Sequence, residues 1–202
     1  MNKPLVFNFR FKGDRDYVHG TDLYQTLTGH LFAHGMTALE DIDMTIHQIS
    51  RTNLAGDLAP SLPEQPLGKV AVAFKFVHQH QPYRIALSEN GEPIKERYPY
   101  SEDEIGKVCR IDAGAKSIHC GQETQYSNIE ALVAMNKLLL KTLFPAAPGK
   151  WYFTRLQLRQ PVNAPPWKSI ELDFLSHFNF KLTKTRIRAD GAEAGYVYFS
   201  LV

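Results

Sequence analysis

Apolar and polar residues alternate along much of the chain, the pattern of strands with one buried face. Phe7, Phe9 and Phe11 share one face of a first strand over 7–11, and Ile42, Met44 and Ile46 one face of a second over 42–50. Val70, Val72, Phe74 and Phe76 mark a strand over 69–77; Tyr83, Ile85 and Leu87 mark another over 83–88. A shorter one is predicted over 107–113. Tyr152, Leu156 and Leu158 then set a strand over 151–159. Ile170, Leu172, Phe174, Phe178, Phe180 and Leu182 set one over 169–182, and the aromatic, β-branched end sets one over 185–201. Two segments switch to helical spacing. Leu23, Leu27 and Leu31 predict a helix over 22–33, with Thr21 or Asp22 as cap and Gly35 as stop. Ile129, Leu132, Val133, Met135, Leu139, Leu140 and Leu143 predict a second over 128–144, apolar around much of its circumference and therefore buried. Ser127 and Glu130 form an S-x-x-E capping box at its start, and Pro145 follows its end.

The order of these elements repeats. One strand, a helix and a run of long strands fill the first half, and the same order fills the second at an offset of roughly 100–110 residues. The predicted division is 1–98 and 99–202, with a seam in the charged stretch Pro93–Gly106, which also carries Pro99. The pattern repeats although the residues do not. The fold class is therefore α+β, with antiparallel sheet.

Composition narrows the function. A chain of 202 residues, 44% hydrophobic and 22% charged, has the mixture of a folded domain and not of a disordered chain. A net charge of +2 gives no electrostatic reason to expect nucleic acid as a partner. Cys109 and Cys120 are too few for a disulfide framework and not at CxxC spacing, so reduced thiols are expected. No apolar run approaches the ~18 residues of a membrane span. The first residues hold no seven-residue apolar core, so no signal peptide and a cytoplasmic location are expected. Nothing calls for a cofactor: GxGxxG, the P-loop and GxSxG are all absent from the sequence.

The densest polar stretch is Gly13-Asp14-Arg15-Asp16-Tyr17-Val18-His19-Gly20-Thr21-Asp22, between the first strand and the first helix. A helix start offers backbone N–H groups and the positive end of a dipole, which can polarise a carbonyl or stabilise an oxyanion. His19 is the natural acid/base there, with Asp14, Asp16 or Asp22 to orient it or activate water. The bland alternative is a polar turn with Asp22 as cap.

A strand, a buried helix and a curled antiparallel sheet in that order resemble the hot-dog fold, and two such blocks resemble the double hot-dog arrangement. The polar stretch itself resembles the R-specific enoyl-thioester hydratases of the MaoC-like hot-dog family. Their signature is Gly-Asp, four residues, His, then a further Asp; here it reads Gly13-Asp14, then His19, then Asp22. Asp16-Tyr17 stands where that family has Asn-Pro. The resemblance implies that Asp14 and His19 hold the water added across a double bond. Hot-dog thioesterases are similar too, in which case Asp16 or Asp22 supplies the carboxylate and His19-Gly20 with Tyr24 completes the site. Either implies an acyl thioester of CoA or acyl carrier protein as partner, bound by Gly20, Thr21 and Tyr24. The basic strip Lys181, Lys184, Arg186 and Arg188 would meet its phosphates, or else is a solvated strand face. A homodimer is compatible with the fold. A non-catalytic binding protein is the competing class.

The second half offers a degenerate counterpart, His119 and Glu123 around Cys120-Gly121. Cys120 as a nucleophile lacks a Cys-His motif. His30 and His34 have the i, i+4 spacing of a zinc helix without its glutamate, and His78 and His80 share a strand face. An exposed strand edge is the simpler reading of the last pair.

Overall fold

The computed structural model describes residues 4–61, 70–121, 124–162 and 167–202. The chain divides into two compact units, Met1–Tyr100 and Ser101–Val202. The first contains β1 (Leu5–Phe7), β2 (Phe11–Lys12), α1 (Gly20–Ala33), β3 (Leu39–Ile46), β4 (Thr52–Pro60), β5 (Val72–His78), β6 (Gln81–Pro93) and β7 (Arg97–Tyr98). Five of its strands form an antiparallel sheet in the order β1-β4-β6-β5-β3, while β2 and β7 make a separate parallel pair. The second contains α2 (Asp103–Lys107), β8 (Arg110–Asp112), β9 (Ser117–Cys120), α3 (Asn128–Leu143), β10 (Trp151–Leu158), β11 (Ile170–Phe178), β12 (Leu182–Ala189) and β13 (Ala192–Leu201). Its antiparallel order is β10-β13-β12-β11-β9-β8.

The leucines of α1 do what their spacing implies. Leu23, Leu27 and Leu31 are buried, as is Tyr24, whose ring meets Phe74 of β5 at 6.3 Å. His30, one turn on, meets Phe7 of β1 edge-on at 5.3 Å. Each buried leucine contributes ~1.5–3 kcal/mol of apolar transfer, which holds α1 on its sheet. In the second unit α3 packs against β9, β10 and β11. Its Ser127–Glu130 capping box forms in both directions, and Phe144 past its end packs on Phe174 and Trp151.

Several boundaries differ from the pattern. The strand expected over 7–11 is two strands with different partners. The break falls at Asn8–Arg10, where the Phe9 N–H donates to the Asn53 side chain at 2.7 Å instead of to a strand. β4 was hidden by Ala55, Gly56, Asp57 and Pro60, residues that disfavour strands. It forms because tertiary pairing overrides propensity: Gly56 faces Leu5 on one side and Leu87 on the other. A Cβ at Gly56 would lie 1.8 Å from the Ala86 carbonyl oxygen, so the close approach requires glycine. The strand expected over 107–113 begins instead as the short helix α2 and keeps only β8. The two strands predicted over 169–182 and 185–201 are three, because the chain turns at Asn179–Phe180, both at positive φ, and at Asp190–Gly191. His78 and His80 are separated by a similar turn, with His80 itself at φ 63.

Candidate active site at the start of α1

β2 carries Lys12 into the interior, where it is 0% exposed. An ammonium ion taken out of water needs compensation worth several kcal/mol. Lys12 Nζ donates to Thr21 Oγ1 at 2.9 Å and pairs with Asp22 Oδ1 at 3.0 Å. It also lies over the Tyr100 ring at 4.4 Å and the Tyr98 ring at 5.6 Å, so two aromatic faces share the charge. The Tyr98 hydroxyl donates to the Asp22 carboxylate, 2.9 Å from Oδ1 and 2.8 Å from Oδ2. The β2–β7 pairing sets Lys12 opposite Tyr98 and delivers this ring.

His19, 7% exposed, is the N-cap residue of α1. Its carbonyl accepts the first helical N–H groups, from Asp22 at 3.0 Å and Leu23 at 3.1 Å. The His19 side chain makes no cap hydrogen bond to this helix. The imidazole is used otherwise: Nδ1 lies 2.7 Å from Thr21 Oγ1. Its ring sits 6.5 Å from Tyr17 and 6.3 Å from Tyr100. A buried histidine, an ion pair and three tyrosines thus meet where the helix presents its positive end.

Of the residues singled out in the sequence, His19, Gly20, Thr21 and Asp22 come together here. Neither Thr21 nor Asp22 is the cap, because α1 begins earlier, at Gly20. Asp22 lies in the first turn, where its charge suits the dipole. Tyr24 belongs to the core against Phe74. Asp14 is exposed on the turn that Gly13 opens with φ +57, and the Nδ1 bond of His19 goes to Thr21 rather than to it. A Cβ at Gly13 would lie 3.3 Å from the Tyr100 carbonyl oxygen, which makes this turn dependent on glycine. Asp16 is exposed and pairs with Arg51 at 3.3 Å. The sequence reading missed Lys12, Tyr98 and Tyr100. The available signal was Tyr98-Pro99-Tyr100, an aromatic pair inside a stretch otherwise taken as a linker.

The second unit is arranged differently. His119 is exposed on β9, opposite Glu171 of β11, and not at the start of α3. Glu123 lies outside the described residues. Arg186 pairs with Asp173 at 3.2 Å, and Arg188 with Glu171 at 2.7 Å and Asp173 at 3.1 Å. The two arginines of the basic strip are thus met by Glu171 and Asp173 of β11, while Lys184 lies over the Tyr196 ring. Cys120 is buried. Burial pushes the Cys109 thiol up to about 12, aided by the charge and hydrogen bond of neighbouring Cys120. A thiol so rarely ionised is a poor nucleophile. The His34 ring lies 4.2 Å from that of His30, whose pKa falls below its ordinary value through burial and then through His34. Among the described residues no three His, Cys, Asp or Glu side chains could hold a metal ion.

No family model matches the sequence, and no curated protein does. Solved structures do match the fold. The dehydratase domain of PpsC from Mycobacterium tuberculosis, in complex with C12:1-CoA, is 9% identical with a TM-score of 0.52, over 100% of this chain and 95% of that one. The tesB protein of Mycobacterium avium subsp. paratuberculosis is 8% identical with a TM-score of 0.51, over 98% and 93%. The pyran synthase domain from module nine of the sorangicin pathway is 10% identical with a TM-score of 0.50, over 98% and 92%. The chain therefore shares its fold with these three proteins. At such identities the likeness is one of fold alone.

Proposed function

We propose that the chain is an acyl-thioester hydratase or dehydratase, acting on CoA or acyl-carrier-protein thioesters, with His19 as its acid/base. The observation that carries this reading is the buried His19 at an uncapped helix start, bonded to Thr21 and backed by Lys12 and Asp22. Hydration of a 2-enoyl thioester needs a base to take a proton from water as its oxygen bonds to C3. The electrons move onto the thioester carbonyl, and a proton returns to C2. His19 would serve as that base and acid. The N–H groups and dipole at the start of α1 would stabilise the enolate oxygen. Dehydration is the reverse path through the same groups. The two units would each be one hot-dog repeat, divided near residue 98.

Of the four residues first assigned to catalysis, this reading keeps His19 and Asp22. Asp14 and Asp16 would have to fold inward to take part. Arg186 and Arg188 would have to leave their carboxylates to meet a phosphate. Thioester hydrolysis is the second reading, because the same buried His19 would serve to activate a water for attack on the thioester carbonyl.

A panel of 2-enoyl-CoA thioesters of graded chain length, followed by loss of the conjugated chromophore and by release of free thiol, separates the two. The first signal without the second is expected. Thiol release alone would replace hydration by hydrolysis. Neither signal with any member, given as CoA or carrier-protein thioester, would leave a non-catalytic binding protein.

A further inference from the structure

Thr21 stands at the centre of the cluster, and its hydroxyl has more neighbours than it has protons. A threonine hydroxyl holds one proton and two acceptor lone pairs. Three groups surround Oγ1: Lys12 Nζ at 2.9 Å, Asp22 Oδ1 at 3.2 Å and His19 Nδ1 at 2.7 Å. The ammonium only donates, so it occupies one lone pair. The carboxylate only accepts, so it takes the single proton. The remaining lone pair faces Nδ1, which therefore has to be the donor. The opposite arrangement would set the Thr21 oxygen against the Asp22 carboxylate with no proton between them. It would forfeit a charge-assisted hydrogen bond where Lys12 is wholly buried and His19 nearly so.

We infer that Thr21, held between Lys12 and Asp22, fixes neutral His19 as the Nδ1–H tautomer and makes Nε2 its basic nitrogen. Thr21 is then a positioning residue, not a substrate contact. Lys12 and Asp22 act through it: the first holds the hydroxyl oxygen and the second orients its proton. The Tyr98 hydroxyl holds the same carboxylate, its one proton shared between the two oxygens. The assignment deepens the proposed function and rests on it for its catalytic meaning, because only an acid/base His19 makes the choice of nitrogen matter to turnover. The tautomer itself follows from the hydrogen bonds alone.

The test is two-bond ¹⁵N–¹H correlation NMR of histidine-labelled full chain at alkaline pH, where imidazoles are neutral. The His19 signals are identified by their loss in His19→Ala. Wild type is expected to give the Nδ1–H pattern. Thr21→Val should shift it to a mixture or to Nε2–H, and Thr21→Ser, which keeps the hydroxyl, should restore it. Melting curves for both variants show that the fold is intact, and Thr21→Ser carries the comparison if Thr21→Val is unstable. An Nε2–H pattern in wild type overturns the inference, and so does an unchanged pattern in Thr21→Val. Turnover is read separately. With an active thioester, Thr21→Val should lower kcat about tenfold with KM unchanged, a modest share of an acid/base contribution. A Thr21-dependent Nδ1–H pattern in a chain that turns over no thioester would sink the functional reading and leave the tautomer standing. His19-dependent turnover with an Nε2–H pattern would do the reverse.

Discussion

The helices α1 and α3 start in opposite ways. α3 seals its own beginning: Ser127 accepts from the Glu130 N–H, and the Glu130 carboxylate accepts from the Ser127 N–H at 2.9 Å. Its two side chains answer its own backbone donors. In α1 the N-cap side chain makes no cap hydrogen bond, and the polar groups around the helix start bond to one another. A self-capped helix start has spent its polar groups on folding. An uncapped start beside a buried histidine and ion pair keeps a positive dipole end next to titratable side chains, as acid/base chemistry on a carbonyl requires. Two buried side chains differ as well. Lys12 is partnered by Thr21 and Asp22, whereas the amide of Asn136, within α3, finds no partner for either of its polar atoms among the described residues.

The contrast can be broken most forcefully at Lys12. Replacing it by Ala leaves the Asp22 carboxylate, only 13% exposed, without its cation. Removing one partner of a buried pair costs ~3–5 kcal/mol, measured as the change in urea unfolding free energy. A loss below ~1 kcal/mol, the range of exposed ion pairs such as Arg51–Asp16, would show that the cluster is solvated and not a closed site. Asn136→Leu should move stability the other way, upward by ~1–2 kcal/mol, because it removes an unsatisfied buried amide and adds apolar contact. A destabilised Asn136→Leu would mean that this amide is as well used as Lys12. Ser127→Ala should cost about 1 kcal/mol, the ordinary value of a lost cap, with no effect on thioester turnover.

A smaller effect concerns thiol reactivity. With its pKa raised to about 12, Cys109 is almost wholly protonated at pH 8, and its thiolate fraction keeps rising with pH well past the ordinary thiol range. Alkylation by iodoacetamide, followed by peptide mass mapping, should therefore be slow at pH 8 and still accelerating at pH 10. A rate that levels off near pH 9 would give Cys109 an ordinary thiol and reopen chemistry before α3.

Period-2 alternation found β5, β10 and most of β11 because their inward residues are long and apolar. It failed at β4, whose place is set by two neighbouring backbones and not by its side chains, and at the four-residue β9. The site was legible in part for a related reason. His19, Thr21 and Asp22 are close in sequence, so their density showed. Lys12 was missed: with Phe7, Phe9 and Phe11 read as one face of a single strand, nothing in the alternation marks it as buried. The break at Asn8–Arg10 inverts that register, leaving Lys12 buried and Phe11 partly exposed. Tyr98 reaches Asp22 from 76 positions away, a distance that no local pattern spans. Asp14 was favoured by a motif interval, which fixes spacing along the chain but not the direction in which a turn points.

The chemistry, if it is done at the start of α1, depends on His19. The direct measurement is turnover of the best thioester by wild type, His19→Ala and His119→Ala, with unfolding curves for all three. His19→Ala should lower kcat by ~10²-fold or more, the scale of lost general acid–base catalysis, while remaining folded. His119→Ala, altering an exposed strand residue, should match wild type. Undiminished turnover in folded His19→Ala would contradict the account and reduce the cluster at α1 to a buried structural network.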